Sequence, residues 1–316
     1  MEQHNNKYFP VWSCEDFPLE LPPGHPFPNL KYSTLESTLK EKGFAPFLTR
    51  CRKALPKLLL LAHDENYVRR VLDGALTAEE MRRVGFPPGQ RYLDRALASV
   101  QATFEAMLQV TSGKSGNTKI SGALAGGTHH AFRDHGEGYC TFNDIAIATF
   151  YALQNSVSRV LILDLDAHQG NGTAALFASE PRVFTFSMHC EDNYPRPKEK
   201  SSLDLGLPRG AQDACYLKLL KDHLPQILEF FEPELVFFQA GVDVLEKDRF
   251  GKLGLSMAGL LQRDLFVFEQ VLGNSIPCVI TLGGGYQHNH ADVGLAHAQT
   301  YFAAAQVYAR MEARSL

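Results

Sequence analysis

Short apolar runs alternate with amphipathic stretches from about residue 119 to the end of the chain. The apolar runs include "RVLILDLD" and "ELVFFQAG", and neither shows the regular alternation that marks a strand with one solvated face. The stretches between them, such as "SMAGLLQRDLFVFEQVLG", place apolar residues at helical spacing. Strands that are apolar on both faces and separated by helices predict a parallel sheet covered by helices on both sides.

The pattern differs before residue 119. Residues 1–30 are rich in proline and aromatic residues, which predicts an ordered coil or loop that packs near the rim of the functional site. Amphipathic patterns then predict a series of helices up to about residue 113. No linker-like composition interrupts the chain, so we expect residues 1–316 to form a single catalytic domain.

Composition argues against several classes of protein. The net charge is −4 and no basic stripe is visible, so we expect no direct binding of nucleic acid. The first residues do not have the pattern of a signal peptide, and no apolar run approaches the roughly 18 residues that span a bilayer. The 6 cysteines are scattered without a CxxC pair, which argues against a disulfide framework. These features predict a cytoplasmic protein that does not bind membranes.

Polar side chains collect where the predicted strands end. The carboxyl ends of these strands have the sequences "GGTHH", "DLDAH", "SMHCEDNYP", "QAGVD" and "LGGGY". In parallel sheets of this kind, ligands bind at the edge formed by the carboxyl ends of the strands. We therefore expect these residues to line one crevice.

Asp164, Asp166 and His168 occupy every second position at one of these strand ends. In an extended chain side chains alternate faces, so these three are predicted to point the same way. Buried carboxylates so close together repel each other unless they bind a cation, and histidine with carboxylates is a ligand set for zinc or another divalent metal. Asp243, just past another apolar strand, is the best candidate for a third ligand. The alternative is that these acids cap helices.

His129 and His130 follow a Gly-Gly turn at another strand end. A histidine beside a metal-activated water can act as a general base and then as a general acid, and Asp164 could hold one of the two imidazoles. Tyr286 follows three glycines, and its hydroxyl can donate a hydrogen bond to a developing oxyanion. A metal, a histidine base and a hydroxyl donor together predict metal-assisted hydrolysis of a carbonyl compound, such as an amide.

Four segments carry a resemblance to a known family: "GGTHHAFRDHGEGYCTFNDIAIA", "LILDLDAHQGNGT", "AGVDVLEKDRFGKLGLS" and "LGGGYQ". They resemble the zinc-dependent histone deacetylases, most of all the short class IV type and its bacterial homologues, and the resemblance covers nearly the whole chain. It implies the arginase–deacetylase fold, a single α/β domain with a central, mainly parallel sheet of about eight strands between helices.

The resemblance also implies a role for each candidate residue. One Zn²⁺ would be held by Asp166, His168 and Asp243. His130 would be the general base and acid, and His129 a second, electrostatic histidine. The other implied residues are Asp164, Asn171 and Tyr286 in catalysis, Gly138, Tyr139 and Tyr194 along the channel for the acyl-lysine stem, and Asp164, Ser187 and Met188 at a monovalent cation (K⁺ or Na⁺).

Two positions depart from the family pattern. Asn171 stands where many members have an acid that orients the second histidine, and an amide carries no charge. We therefore expect His130 to be less basic than in those relatives, and the pH–rate profile of Asn171→Asp tests this. Tyr139 stands where phenylalanine is commoner, which makes the channel wall slightly more polar.

The predicted substrate is an acyl-lysine in a protein or peptide, with an acetyl or longer acyl group. One alternative is a small-molecule amide such as an acetylpolyamine. An arginase-like ureohydrolase of the same fold would need two metals and more aspartates than "DAHQGN" and "GVD" supply. A catalytically silent module that binds acyl-lysine is the last alternative, and an acyl-lysine assay before and after chelation separates it from an enzyme.

Overall fold

A single sheet forms the centre of the computed structural model, which describes residues 8–112, 118–155 and 157–315. Within these ranges the sheet has 8 strands. They are β1 (Val11–Ser13), β2 (Leu48–Arg50), β3 (Ile120–Ala123), β4 (Val160–Asp164), β5 (Val183–Cys190), β6 (Leu203–Leu207), β7 (Leu235–Gln239) and β8 (Cys278–Thr281).

The strand order in the sheet is β2-β1-β3-β8-β7-β4-β5-β6, and each described pairing of neighbouring strands is parallel. All carboxyl ends therefore lie at one edge. The chain runs from β4 outward through β5 and β6, then returns to place β7 on the other side of β4. Such a change of direction opens a crevice at the carboxyl edge, where side chains from several strands meet.

Helices cover both faces of the sheet. They are α1 (Leu30–Leu39), α2 (Pro56–Leu59), α3 (Glu65–Leu72), α4 (Ala78–Val84), α5 (Gln90–Thr111), α6 (Asp144–Asn155), α7 (Asn171–Phe177), α8 (Asp213–Phe231), α9 (Met257–Gly273) and α10 (His290–Ser315). None of the described helices is both long and apolar enough to cross a membrane.

Strand β4 shows how one apolar run supplies two cores. Leu161 and Leu163 belong to the core formed with α1, α8, α9 and α10. Val160 and Ile162 belong to the core on the opposite face, formed with α3, α5 and α6. Because successive side chains point to opposite faces, a strand buried on both sides must be apolar at every position. The prediction of a parallel sheet between helices is confirmed.

Three strands lie outside the predicted set. β1 lies inside the region 1–30 that was predicted as coil, and β6 lies in a segment for which no strand was predicted. β2 has only 3 residues, which are exposed or half-buried. β2 and β6 are the two edges of the sheet, and edge strands need less apolar burial than central ones. The predicted coil also includes residues 1–7, which lie outside the described ranges.

Candidate active site

A cavity of about 550 Å³ opens at the carboxyl edge of the sheet. Its lining includes His130, which follows β3, His168, which follows β4, and Tyr286, which follows β8. The predicted convergence of strand ends on one crevice is therefore present in the structure. Asp166 and Asp243 lie fully buried behind this lining.

A buried carboxylate on α6 fixes the turn that precedes His129 and His130. Asp144 accepts hydrogen bonds from the backbone N–H groups of Gly127 (3.0 Å) and Thr128 (2.8 Å) through its two oxygens. These bonds fix the turn that follows β3, so the next two residues, His129 and His130, enter the cavity wall in a defined position.

The two histidines have different partners. Nδ1 of His129 lies 2.7 Å from Oδ2 of Asp164, and Nδ1 of His130 lies 2.7 Å from Oδ1 of Asn171. Both imidazoles are buried, and their ring centres are 4.0 Å apart. The predicted pairing of one histidine with Asp164 is thus seen in the geometry.

These surroundings separate the pKa values of the two histidines. Burial alone would lower the pKa of His129, but the carboxylates of Asp164 and Asp166 outweigh it and raise that pKa above its ordinary value. Burial, with the neighbouring His129, lowers the pKa of His130 well below its ordinary value. A pKa lowered in this way keeps His130 neutral near pH 7, with a lone pair on one ring nitrogen.

Three buried side chains form a cluster that could hold a metal. The donor atoms of Asp166, His168 and Asp243 lie within 4.8 Å of one another. Nδ1 of His168 is 3.0 Å from Oδ1 of Asp166 and 2.9 Å from Oδ2 of Asp243. Two carboxylates and one imidazole match the three-ligand set of catalytic zinc sites, which bind at about 2.0–2.2 Å and keep an open position.

Backbone groups orient the two carboxylates of this cluster. The N–H of Gly284 donates to Oδ2 of Asp166 (2.6 Å), and the N–H of Ala167 donates to Oδ1 of Asp243 (2.9 Å). A Cβ at position 284 would lie 2.1 Å from Oδ2 of Asp243, so only glycine allows the backbone this close. The other oxygen of each acid faces Nδ1 of His168, and that of Asp166 also accepts from the backbone N–H of His168 (2.9 Å).

The helix-capping alternative is not supported by these contacts. α7 begins after Gly170, with no side chain capping its first turn. β4 ends at Asp164, two residues earlier than the predicted strand, and Asp166 and His168 lie in the bends that follow. The three residues therefore do not share one extended face. Asp164 turns to His129, whereas the other two turn to Asp243.

Tyr286 is fixed through its backbone. Its N–H donates to Oδ2 of Asp248 (2.5 Å), and its carbonyl accepts from Nε of Arg249 (2.6 Å). The ring lies 6.3 Å from that of His168, centre to centre. Burial, with the charges of Asp166 and Asp243, raises the pKa of the phenol well above its ordinary value, so the hydroxyl stays protonated and can donate.

Gly138, Tyr139 and Tyr194 line the same cavity, as predicted for the channel. The Tyr194 ring packs edge-on against His130 at 4.9 Å, and the Tyr139 ring lies 5.9 Å from that of Tyr286. The N-terminal region reaches this rim, because the ring of Phe27 packs 5.1 Å from that of Tyr139.

Comparison with known proteins shows the family of this chain. The sequence pattern of the histone deacetylase domain matches residues 25–302, which is most of the chain. The chain belongs to the histone deacetylase family.

Relatives of this deacetylase-family chain include proteins of bacteria and plants. An uncharacterized protein of Picosynechococcus sp. is 41% identical over 95% of this chain and 99% of its own length. Histone deacetylase 2 of Arabidopsis thaliana is 32% identical over 85% of this chain and 71% of its own length. The acetoin utilization protein AcuC of Staphylococcus aureus is 27% identical over 90% of this chain and 78% of its own length.

A solved structure shares the fold. The HDA15 HD domain aligns with 97% of this chain and 100% of its own, with a TM-score of 0.76 at 20% identity. The predicted arginase–deacetylase fold is thereby confirmed. Membership of the histone deacetylase family supports deacetylase activity, and this family generally depends on a metal.

The predicted site for a monovalent cation stays a prediction. Asp164 and Ser187 are register partners on β4 and β5, and Met188 follows directly on β5. Ser187, Met188 and Asp164 are all buried. The hydroxyl of Ser187 lies 2.9 Å from Nδ1 of His189.

Several residues that shape this deacetylase site received no role from the sequence. Glu137 lies inside the first motif, and Asp248 and Arg249 lie inside "LEKDRFG", but both stretches read as ordinary charged loops. Lys31 is buried, and its Nζ donates to the carbonyl of Gly283 (3.2 Å). Burial lowers the pKa of Lys31 to about 8. Glu137, Asp248 and Arg249 are charged residues inside motifs at strand ends, and this was the signal that could have indicated a role for them.

We expect Gly138→Ala to reduce turnover about tenfold or more. Gly138 has φ +55°, and a Cβ there would lie 2.7 Å from Cδ2 of His130, so the ring must move. A 1 Å displacement of a catalytic group can cost on the order of 100-fold in rate. Gly74→Ala is the matched control, because Gly74 has φ +64° with no atom within 4 Å of the added carbon. Equal losses of kcat in both variants would contradict this prediction.

Proposed function

We propose that this chain is a zinc-dependent lysine deacylase that hydrolyses the amide between an acyl group and the ε-amine of lysine in a peptide or protein. The observation that carries the proposal is the cluster of Asp166, His168 and Asp243 beside His130 at the cavity. When bound there, Zn²⁺ would act as a Lewis acid on the carbonyl and would acidify the attacking water.

The protein's own residues would carry the proton and orient the amide. His130 has Nδ1 engaged by Asn171, so its Nε2 is the nitrogen available to take a proton from the attacking water. The same nitrogen would return the proton to the departing lysine amine. Tyr286, protonated and held through its backbone, would donate to the carbonyl oxygen as negative charge develops there.

The cavity wall suits the stem of an acyl-lysine. Tyr139, Tyr194 and Phe250 line it with aromatic rings, and the backbone of Gly138 adds no side chain. A tetramethylene chain buried against such rings would leave water and bring the amide toward the metal cluster.

The mouth of the cavity is cationic, which bears on the substrate class. Arg82, Arg83 and Lys252 line it, and none of them has an ion-pair partner among the described residues. The carboxylate of Glu137 also lies there, but one of its oxygens accepts hydrogen bonds from both Asn171 and Tyr194. A mouth of this charge favours acyl-lysines flanked by acidic groups and disfavours polycations such as acetylpolyamines.

We expect kcat/KM for an acetyl-lysine peptide with Asp on both flanks to exceed that of the Lys-flanked peptide about fivefold or more at low salt. Each exposed pair contributes about 0.2–1 kcal/mol, so a few pairs give this ratio. The preference should shrink in 0.5 M salt, because screening acts on exposed charges. The double change Arg82→Glu and Arg83→Glu should reverse it.

Lys119→Glu is the matched control for this charge reversal. Lys119 is exposed and directly precedes β3, at the edge of the sheet opposite the cavity. It should leave the preference intact. A wild-type protein that prefers the Lys-flanked peptide, or acetylpolyamine over both peptides, would overturn the assigned substrate class.

The reaction itself is tested with purified protein, a fluorogenic acyl-lysine peptide, a chelator and a series of added metals. Hydrolysis that stops on chelation and returns with Zn²⁺ is the expected result, and a rate series over acyl lengths defines the acyl group. Activity that survives chelation would contradict the proposal.

A further inference from the structure

A chain of hydrogen bonds links the cavity mouth to His130. Nδ2 of Asn171 donates to Oε1 of Glu137 (2.7 Å), and Oδ1 of the same amide lies 2.7 Å from Nδ1 of His130. The hydroxyl of Tyr194 also donates to Oε1 of Glu137 (2.6 Å). Asn171 is buried, whereas Glu137 is half-buried at the mouth.

The chemistry of these groups fixes the direction of each bond. An asparagine amide has an oxygen end and an NH₂ end of nearly the same shape, so its neighbours decide which way it faces. An ionised carboxylate can only accept, so Glu137 requires the NH₂ end. The oxygen end then faces Nδ1 of His130, and that nitrogen must carry a hydrogen. Nε2 is left with the lone pair.

The opposite orientation of the amide would have the opposite effect. An NH₂ group facing Nδ1 requires a lone pair there, which places the hydrogen of neutral His130 on Nε2. A protonated Nε2 cannot accept a proton from water. The neutral amide of Asn171 can adopt either arrangement, so the group that faces its other end decides which one is populated.

We propose that Glu137 is a positioning residue that, through Asn171, holds His130 in the tautomer with hydrogen on Nδ1. This inference rests on the proposed function, in which His130 is the base. It also changes the reading of Asn171→Asp, because that substitution places a second carboxylate at hydrogen-bond distance from Glu137 and leaves nothing to donate between them.

Three variants separate this role from a structural one. Glu137→Leu removes the acceptor at similar volume. In the zinc-loaded enzyme its kcat should fall about 10- to 100-fold with little change in KM. This is the usual effect on activity when a residue that orients the groups at a metal site is lost. Glu137→Gln keeps an acceptor oxygen and should stay within about threefold of wild type. The double variant Glu137→Leu with Asn171→Asp should recover most of the loss, because the new carboxylate accepts directly from His130.

A spectroscopic measurement tests the tautomer without turnover. In zinc-loaded protein with ¹⁵N-labelled histidine, the ¹⁵N shifts of His130, assigned by their loss in His130→Ala, should show hydrogen on Nδ1 in wild type. In Glu137→Leu they should show hydrogen predominantly on Nε2, since a tenfold loss of kcat by this route requires about nine-tenths of the neutral imidazole in that form. Hydrogen on Nε2 in wild type, full kcat in Glu137→Leu, or a double variant no better than Glu137→Leu would each overturn the inference. A wild type that shows the Nδ1–H tautomer but hydrolyses no acyl-lysine would instead contradict the proposed function.

Discussion

We expect Asp243→Asn to lose the zinc that the proposed function requires and, with it, hydrolysis. Oδ1 of Asp243 accepts from the backbone N–H of Ala167, so an asparagine of the same shape must keep its oxygen on that side. Its NH₂ group would then face His168, at the position of the present Oδ2. A donor group cannot ligate a cation. Loss of a residue that hydrogen-bonds to a metal ligand lowers metal affinity about 10- to 100-fold. Loss of a ligand itself should therefore lower the affinity for zinc by more than about 100-fold.

Metal content after dialysis, measured by elemental analysis, checks this result independently of activity. Zn²⁺ should raise the melting temperature of wild type but not of Asp243→Asn, because only a bound metal stabilises the folded state. Asp213→Asn is the control, since Asp213 is a half-buried carboxylate that binds Ser256 at the start of α9. A variant that retains stoichiometric zinc would refute the assigned ligand.

Replacing Tyr286 by phenylalanine will lower kcat about 10²- to 10³-fold, with KM and zinc content nearly unchanged. Removal of one donor to a developing oxyanion has this cost in other hydrolases. The ring should stay in place, because Asp248 and Arg249 hold its backbone and not its hydroxyl. Steady-state kinetics on an acetyl-lysine peptide measure both parameters.

Tyr139→Phe is the matched control for this substitution. Its ring lies 5.9 Å from that of Tyr286 in the same wall, and it also loses only a hydroxyl. Its kcat should stay within about threefold of wild type. If both variants lose activity equally, polarity of the wall and not donation by Tyr286 would explain the effect.

The sequence predicted the middle of the sheet, and it predicted that the candidate site residues would lie together at one edge, because both depend on local pattern. Strands buried on both faces must be apolar throughout, and their carboxyl ends must meet at one edge. The amino-acid pattern alone could therefore bring Asp166, Asp243 and Tyr286 together. The short strands β1 and β2 have 3 residues each, too few for a periodic signal.

The supporting residues could not be predicted because their roles arise only from contacts distant in sequence. Glu137 meets Asn171 across 34 residues, and Arg249 meets the carbonyl of Pro26 across 223. Nothing near Glu137 in the sequence distinguishes it from an ordinary loop acid. The sequence showed that Asn171 departs from the family pattern, but it did not show that Glu137 accepts a hydrogen bond from the NH₂ group of Asn171.

The strand order has a consequence for how the protein is made. β7 and β8 lie between β3 and β4, although the ribosome delivers them last. Until residues 235–281 emerge, β3 and β4 each present an unpaired row of backbone N–H and C=O groups, which is a template for aggregation. Asp243 lies in this late segment, and Gly284 follows it. A chain that stops before residue 235 therefore lacks the middle of its sheet and not one end of it.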